Sequence, residues 1–227
     1  MKTLLAAGTA IIALAALPSA ALAQDGDRAG DFQAKVVFTG VLPDGAIEQV
    51  NVDLVGLPAG TQTEANDNYV PTVAIEYFVT HNFSIETIAG VTQHDVDAVS
   101  GALAGGELVS DAVILPATVT GKLHFDLGNV KPYAGAGATY WFILDDEPGA
   151  ATIPLGVTDF NFENELGFVL QAGVDVPFGE SGFGITLDAK RYFIDLTAQW
   201  FAGDTLAIET EHKLDPWVVS AGLSYSF

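Results

Sequence analysis

Apolar and polar residues alternate with a period of two along most of this chain. The alternation recurs in eight segments, residues 31–41, 69–80, 83–93, 115–127, 132–144, 164–177, 183–200 and 214–227. That period is the period of a β-strand with two different faces. A tilted strand needs about 9–11 residues to cross a bilayer, and every segment is long enough. Strands of ordinary globular domains are shorter, about 5–6 residues. The last segment shows the pattern most plainly. Trp217, Val219, Ala221, Leu223, Tyr225 and Phe227 fall on one side, and Val218, Ser220, Gly222, Ser224 and Ser226 on the other.

The connections alternate in length. Short turns lie near His81-Asn82, at 128–131 and at 178–182, while 42–68, 94–114, 145–163 and 201–213 read as long loops. Short turns at one end and long loops at the other, with an even strand number, predict an all-β fold, an eight-stranded antiparallel up-and-down transmembrane β-barrel. One face collects aromatics at two levels. Phe32, Tyr77, Phe83, Phe125, Phe183, Tyr225 and Phe227 fall near the short turns, and Phe38, Tyr69, Tyr140, Phe142, Phe168, Phe193 and Trp217 near the long loops. Ala, Val, Leu and Ile lie between. Two aromatic belts around an apolar band are what the two interfaces of a bilayer select, so this face points to lipid. Arg191 falls on it, high near the outer leaflet where it meets lipopolysaccharide phosphates, unless a bulge turns it inward.

The amino-terminal region changes the picture in one respect. Met1-Lys2, an apolar run over 4–17 and Ala21-Leu22-Ala23 have the layout of a secretory leader cleaved before Gln24. The expected organisation is a signal peptide at 1–23 and one barrel domain at 24–227. The chain has no cysteine, which excludes disulfides and thiolate chemistry. The formal net charge of −21 leaves no basic footprint for nucleic acid. Hydrophobic residues make up 49% and the mean hydropathy is +0.34, high for an exported soluble protein.

The inward face divides into two zones. The lower half carries Lys35, Glu76, Glu86, Lys122, His124, Asp126, Asp175, Asp188 and Lys190. Both signs interleave, and in a narrow barrel they must pair. This floor is either a structural plug or a hydrated ion path. The upper half offers Trp141, Ile88, Val37, Thr139, Val169 and Val218, with further hydroxyls, and Gly135 and Gly137 leave space beside them. It is either packing in a taper or a pocket for an apolar guest. Pro71, Pro116 and Pro216 lie at upper strand ends, where they mark fraying strands or a weak seam in the wall.

No nucleotide-binding or metal motif is present, and no cofactor is expected. Ser84, His124 and Glu86 are not all on one strand and nothing marks the serine as a nucleophile, and His124 is the only histidine expected to point inward. No catalytic residue and no enzymatic activity are expected.

Four stretches carry a family resemblance: Gly30-Asp31-Phe32, Leu115-Pro116-Ala117-Thr118, Lys131-Pro132-Tyr133-Ala134-Gly135-Ala136-Gly137, and Leu214-Asp215-Pro216-Trp217 with terminal Phe227. Together and in this order they resemble the OmpW family of small outer-membrane proteins. The ending Leu223-Ser224-Tyr225-Ser226-Phe227 departs from the usual pattern, and residues 42–68 carry no family motif. The resemblance implies an outer-membrane barrel with a hydrophobic lumen that passes small apolar molecules. The expected partners are outer-membrane lipid, lipopolysaccharide and the barrel-assembly machinery; the terminal alternation ending in an aromatic resembles the signal that machinery reads, with Tyr225 and Phe227 as that signal. The upper pocket over a charged floor adds lateral exit into lipid. The competing expectation is a filled barrel whose outer loops serve envelope stability or act as a receptor for phages or bacteriocins.

Overall fold

The computed structural model describes residues 27–227 apart from 58 and 59, so the leader expected at 1–23 lies outside the described residues. Among these residues fourteen strands follow in chain order: β1 (Phe32–Leu42), β2 (Ala46–Asp53), β3 (Thr63–Ala65), β4 (Asn68–Phe78), β5 (Phe83–Ala89), β6 (Thr92–Ala98), β7 (Glu107–His124), β8 (Lys131–Pro148), β9 (Asp159–Phe162), β10 (Glu165–Pro177), β11 (Phe183–Phe193), β12 (Asp195–Ala202), β13 (Thr205–Lys213) and β14 (Trp217–Ser226). Eight of them close a barrel. β7, β5, β4, β1, β14, β11, β10 and β8 are antiparallel neighbours in that order, and β8 pairs back onto β7. Closure leaves no free edge, so backbone groups that lipid cannot hydrate bond to each other.

The wall separates side chains by parity. Phe38, Val36, Leu123, Leu187 and Leu223 face outward and are exposed, whereas Lys35, Val37 and Thr39 on the same first strand are buried inside. The lower belt is a continuous aromatic run around part of the rim. Phe32 packs on Tyr77 at 4.9 Å and on Phe227 at 6.0 Å, Phe227 on Tyr225 at 5.9 Å, and Tyr225 on Phe183 at 4.7 Å. Phe32 and Phe227 also exchange two backbone hydrogen bonds of 2.9 Å, which close the seam between β1 and β14. The upper belt stacks Phe38 on Tyr69 at 6.2 Å and Phe168 on Phe193 at 4.4 Å. The ladder from β10 to β11 runs without a bulge through Leu170↔Arg191, so Arg191 stays outward.

The connections read as long loops are largely strands. β2, β13, β12 and β9 form a four-stranded sheet beyond the barrel, and β3 and β6 extend the barrel wall at the same end. Segment 83–93 breaks at Gly90-Val91 into β5 and β6, and segment 183–200 breaks at Ile194 into β11 and β12. This extension has a core of its own, around Phe160, Phe162, Leu196, Trp200 and Ile208, continuous with the upper lumen at Trp141 and Val218. His94 and His212 are buried within it, which corrects the expectation that only His124 points inward. His212 bonds Thr210 at 2.6 Å, and Thr63 and the Gly45 carbonyl at 3.2 Å. No partner supplies a negative charge, so burial pushes its imidazole down to about 4.

Candidate functional site

The floor of the lumen is drawn from seven of the eight barrel strands. Lys35 on β1 places Nζ 2.6 Å from Glu76 Oε2 and 2.8 Å from Glu86 Oε2. Lys122 on β7 approaches the same two atoms at 2.8 and 2.9 Å. Lys190 on β11 bonds Asp188 at 2.7 Å and lies 3.4 Å from Glu86 Oε1. Asp175 on β10 stands 4.0 Å from Lys35 and is the loosest member, with no hydrogen bond to its carboxylate among the described residues. Two side chains that composition alone did not single out complete the network. Gln171 donates to Glu86 at 2.8 Å and to Asp188 at 2.6 Å. Tyr133 donates to Asp188 at 2.7 Å and lays its ring 3.8 Å from Lys122 Nζ. Both share the inward parity of their strands, and that was the available signal. Tyr133 can cross the lumen because Gly173 has no side chain; a Cβ there would meet the tyrosine hydroxyl at 2.3 Å.

Three expectations need correction at this level. Asp126 is not in the lumen: β7 ends at His124, and Asp126 lies exposed in the following turn. Gly135 and Gly137 do not open space. A Cβ on Gly137 would lie 2.0 Å from the Val119 carbonyl and 2.7 Å from Thr120 Cα, so these glycines let β7 and β8 approach closely. Ser84 and His124 do meet, at 2.8 Å, but the acid beside them is Glu76 rather than Glu86. Ser84 also donates to Glu76, and the carboxylate sits on the same imidazole nitrogen, Nε2, that faces the serine. A catalytic triad needs the acid on the opposite nitrogen, and His124 Nδ1 has no hydrogen-bond partner. The serine is fully buried.

Above the floor the polar groups become neutral. Thr118 bonds Thr139 at 2.9 Å, and Thr39 bonds Ser220 at 2.8 Å. A cavity of about 40 Å³ follows, lined by Trp141, Tyr192, Val218, Val41, Val70 and Ile88 with the hydroxyls of Thr39, Thr72 and Thr92. Trp141 packs edge-on against Tyr192, ring centres 6.1 Å apart. Of the six upper-lumen residues singled out by parity, Trp141, Ile88 and Val218 line the cavity. Val37, Thr139 and Val169 are buried on the rungs below it.

The cavity abuts a break in the wall. The β4–β5 ladder ends at Val73↔Ala89, and the β5–β7 ladder ends at Ile88↔Thr118. Continuing these registers would set Val91 opposite Pro71 on one side and Gly90 opposite Pro116 on the other. A proline has no N–H to give a ladder, and with one on each flank the strand between them breaks. β6 resumes on β7 at Thr92↔Ile114. β4 keeps only its β1 partner above Val73. The window so formed closes again above, where Asn68 donates to the Gln93 carbonyl at 2.6 Å and His94 Nδ1 lies 2.7 Å from the Asn66 carbonyl. Thr72 fills it: a Cβ on Gly90 would lie 3.0 Å from the threonine hydroxyl.

Pro116 interrupts only the pairing on its β5 side, and Pro216 marks no opening. β7 runs unbroken through Pro116 and pairs it with Trp141 on β8. Pro216 precedes β14 and accepts from the Tyr192 N–H at 3.1 Å. Neither strand is frayed. Among the described residues no group of three or more His, Cys, Asp or Glu side chains is arranged to hold a metal.

Known proteins share this architecture. The OmpW family model matches residues 28–227. An uncharacterized outer-membrane protein of Sinorhizobium fredii, y4mB, is 34% identical over 215 residues, covering 92% of this chain and 86% of that one. A protein of Pseudomonas aeruginosa, PahQ, described as a dibenzothiophene metabolism operon protein, is 22% identical over 169 residues, covering 74% and 76%. The crystal structure of the outer membrane protein OprG from Pseudomonas aeruginosa superposes with a TM-score of 0.79 at 23% identity, covering 89% of this chain and 98% of that one. AlkL in lipid bilayers superposes at 0.70 and 21% identity, covering 93% and 97%. The two structures share the fold, the family match spans nearly the whole barrel, and this chain is therefore a member of the OmpW family, an eight-stranded β-barrel of the bacterial outer membrane.

Proposed function

We propose that the barrel takes small apolar molecules from outside the cell into its upper lumen and releases them sideways through the wall into the membrane. One observation carries this reading: the apolar cavity beside Trp141 lies against a stretch of barrel wall where a strand loses its ladder partners on both sides. The cavity at rest has room for a few water molecules. A larger guest enters by displacing side chains such as Ile88 and Thr72. Below it, the floor of paired ions offers an apolar molecule nothing and would have to be torn apart to let it through. Lateral release puts the guest in hydrocarbon, where its transfer is favourable. The operon description of the Pseudomonas relative, which names an apolar aromatic compound, agrees with such a guest.

The test uses the refolded barrel and a hydrophobic fluorescence quencher. Binding should quench Trp141, and Trp141→Phe should remove that signal. Thr72→Cys with Gly90→Cys, cross-linked across the window, should then slow uptake into liposomes severalfold. A cross-link at Ala117→Cys with Tyr140→Cys, in the intact β7–β8 ladder, should not. No quenching in the wild type would leave the barrel as a filled support for its folded extension. Quenching with unchanged uptake after the Thr72–Gly90 cross-link would make it a through-channel.

Tyr225 and Phe227 are proposed as the signal read by the barrel-assembly machinery. Phe227 stacks at the seam and contributes two of its hydrogen bonds. Phe227→Ala should lower the outer-membrane level of the protein; an unchanged level overturns the assignment.

A further inference from the structure

The chain has eight lysines and arginines against 29 acids. Lys2 lies outside the described residues, Arg28 and Lys131 sit at the short-turn end, and Lys35, Lys122 and Lys190 are locked in the floor. The remaining two, Arg191 and Lys213, are the only cations in the upper half of the described molecule, and they converge on one spot. Arg191 Nη2 and Lys213 Nζ each lie 3.7 Å from Asp215 Oδ2. Asp215 is nearly buried and pinned. It has a positive φ of 31°, and its Oδ1 accepts the Ile194 N–H at 3.1 Å.

Both cations stand beyond hydrogen-bond distance of that carboxylate, and neither donates to another described residue. Arg191 is held between the rings of Trp217 and Phe193, at 5.5 and 5.9 Å. Its side chain is 29% exposed and that of Lys213 is 48% exposed. The spot lies at the level of the upper aromatic belt, where an outer-leaflet headgroup meets the wall. On the same outward face Leu170 stands opposite Arg191, with Leu187 and Val219 below it, and all three are exposed.

We propose that Arg191 and Lys213 clamp a phosphate group of an outer-leaflet glycolipid, with one acyl chain of that lipid lying along Leu170, Leu187 and Val219. The arginine fork suits a phosphate with two parallel hydrogen bonds, and the lysine adds a second charge. Asp195, which opposes Lys213 in the β12–β13 ladder, together with Glu211 and Asp215 repels an anion held anywhere but between the two cations. That favours a compact phosphate monoester. This inference rests on the place of the barrel in the outer membrane and is independent of the transport route.

The barrel, reconstituted in phosphatidylcholine nanodiscs, is titrated with bis-phosphorylated lipid A, and native mass spectrometry counts the lipid retained. Wild type should retain it, and R191Q/K213Q should weaken retention about tenfold or more, as expected for lost charge-assisted hydrogen bonds. R191K, which keeps the charge and loses the fork, should fall between. Dephosphorylated lipid A should bind wild type no better than lipid A binds the double variant; this arm needs no mutant to fold. Equal retention by wild type and double variant, or of both lipid A forms, overturns the clamp. Equal retention of phosphatidylglycerol overturns the glycolipid assignment.

Discussion

The lower and upper halves of the lumen are built from the same strands and differ in what those strands point inward. β1 goes from Lys35 to Val37 and Thr39, β7 from Lys122 to Thr120 and Thr118, and β11 from Asp188 and Lys190 to Tyr192. The outward face keeps one composition throughout, because lipid is the same solvent along the whole span. Inside, the lower half holds ionised groups because opposite charges meet there within 2.6–3.4 Å. The upper half is built from groups that stay neutral: paired hydroxyls, the Trp141 indole, whose N–H has no partner among the described residues, and, in the extension, imidazoles bonded to hydroxyls and carbonyls. A narrow barrel can bury charge or keep an apolar chamber at a given depth, and this one separates the two by height.

The largest expected effect breaks the lower half. Lys122→Met removes the ammonium from between Glu76 and Glu86 and leaves buried carboxylates under-compensated, a loss of about 3–5 kcal/mol. The temperature at which the folded, fast-migrating band disappears on gels should fall clearly. If it does not, water reaches these groups and the contrast between the halves is false.

Acid should act on the other half. His212 titrates at about 4 in the folded extension against 6.5 when unfolded. At pH above the unfolded value both states are neutral and stability is full. As pH falls from 6.5 toward 4, the unfolded segment takes up a proton that the folded one refuses, and about 3 kcal/mol of local stability is lost. Burial shifts His94 in the same direction. Limited proteolysis of the extension should therefore accelerate across that range while the barrel stays intact. His212→Gln should flatten the response; a flat response in the wild type would mean that the extension opens before the imidazole titrates.

Two glycines sharpen the comparison further. Gly173→Ala drives a Cβ into the Tyr133 hydroxyl and the Leu187 carbonyl, at 2.3 and 2.4 Å, and should cost about 1–3 kcal/mol in thermal stability. Gly90→Ala meets only the Thr72 side chain, so the barrel should melt as before while uptake of the apolar probe slows. Equal destabilisation by both would mean that the window is as tightly packed as the floor. The smallest effect belongs to the neutral pairs. Thr39→Val breaks the bond to Ser220 and should cost about 1 kcal/mol in the same melting assay, well short of the lysine.

The eight barrel strands and their faces were legible in the sequence because lipid imposes a strict period of two on every strand. Parity alone put Lys35, Glu76, Glu86 and Lys122 inside. It could not say which lysine meets which acid, since that depends on the stagger of neighbouring strands. The extension was not legible for a different reason. Segments such as 46–53 and 205–213 carry charges and short apolar runs, and their sheet is held by a core contributed from distant connections. The buried His94 and His212 follow from that core and were hidden with it. Pro71 was correctly marked as a disturbance, but only the registers show that Pro71 and Pro116 flank the same two residues.

The floor has one more consequence, for how the barrel finds its strand alignment. A slip of one residue between neighbours would turn apolar side chains inward and is strongly opposed. A slip of two would keep every lipid-facing residue facing lipid, and the outer surface would hardly notice. The ion network would, because a two-residue offset of β4, β5 or β7 moves Glu76, Glu86 or Lys122 a full rung from its partners. Charges buried at one depth in six strands therefore act as a proofreading mark. They penalise the misaligned barrels that hydrophobicity alone would accept.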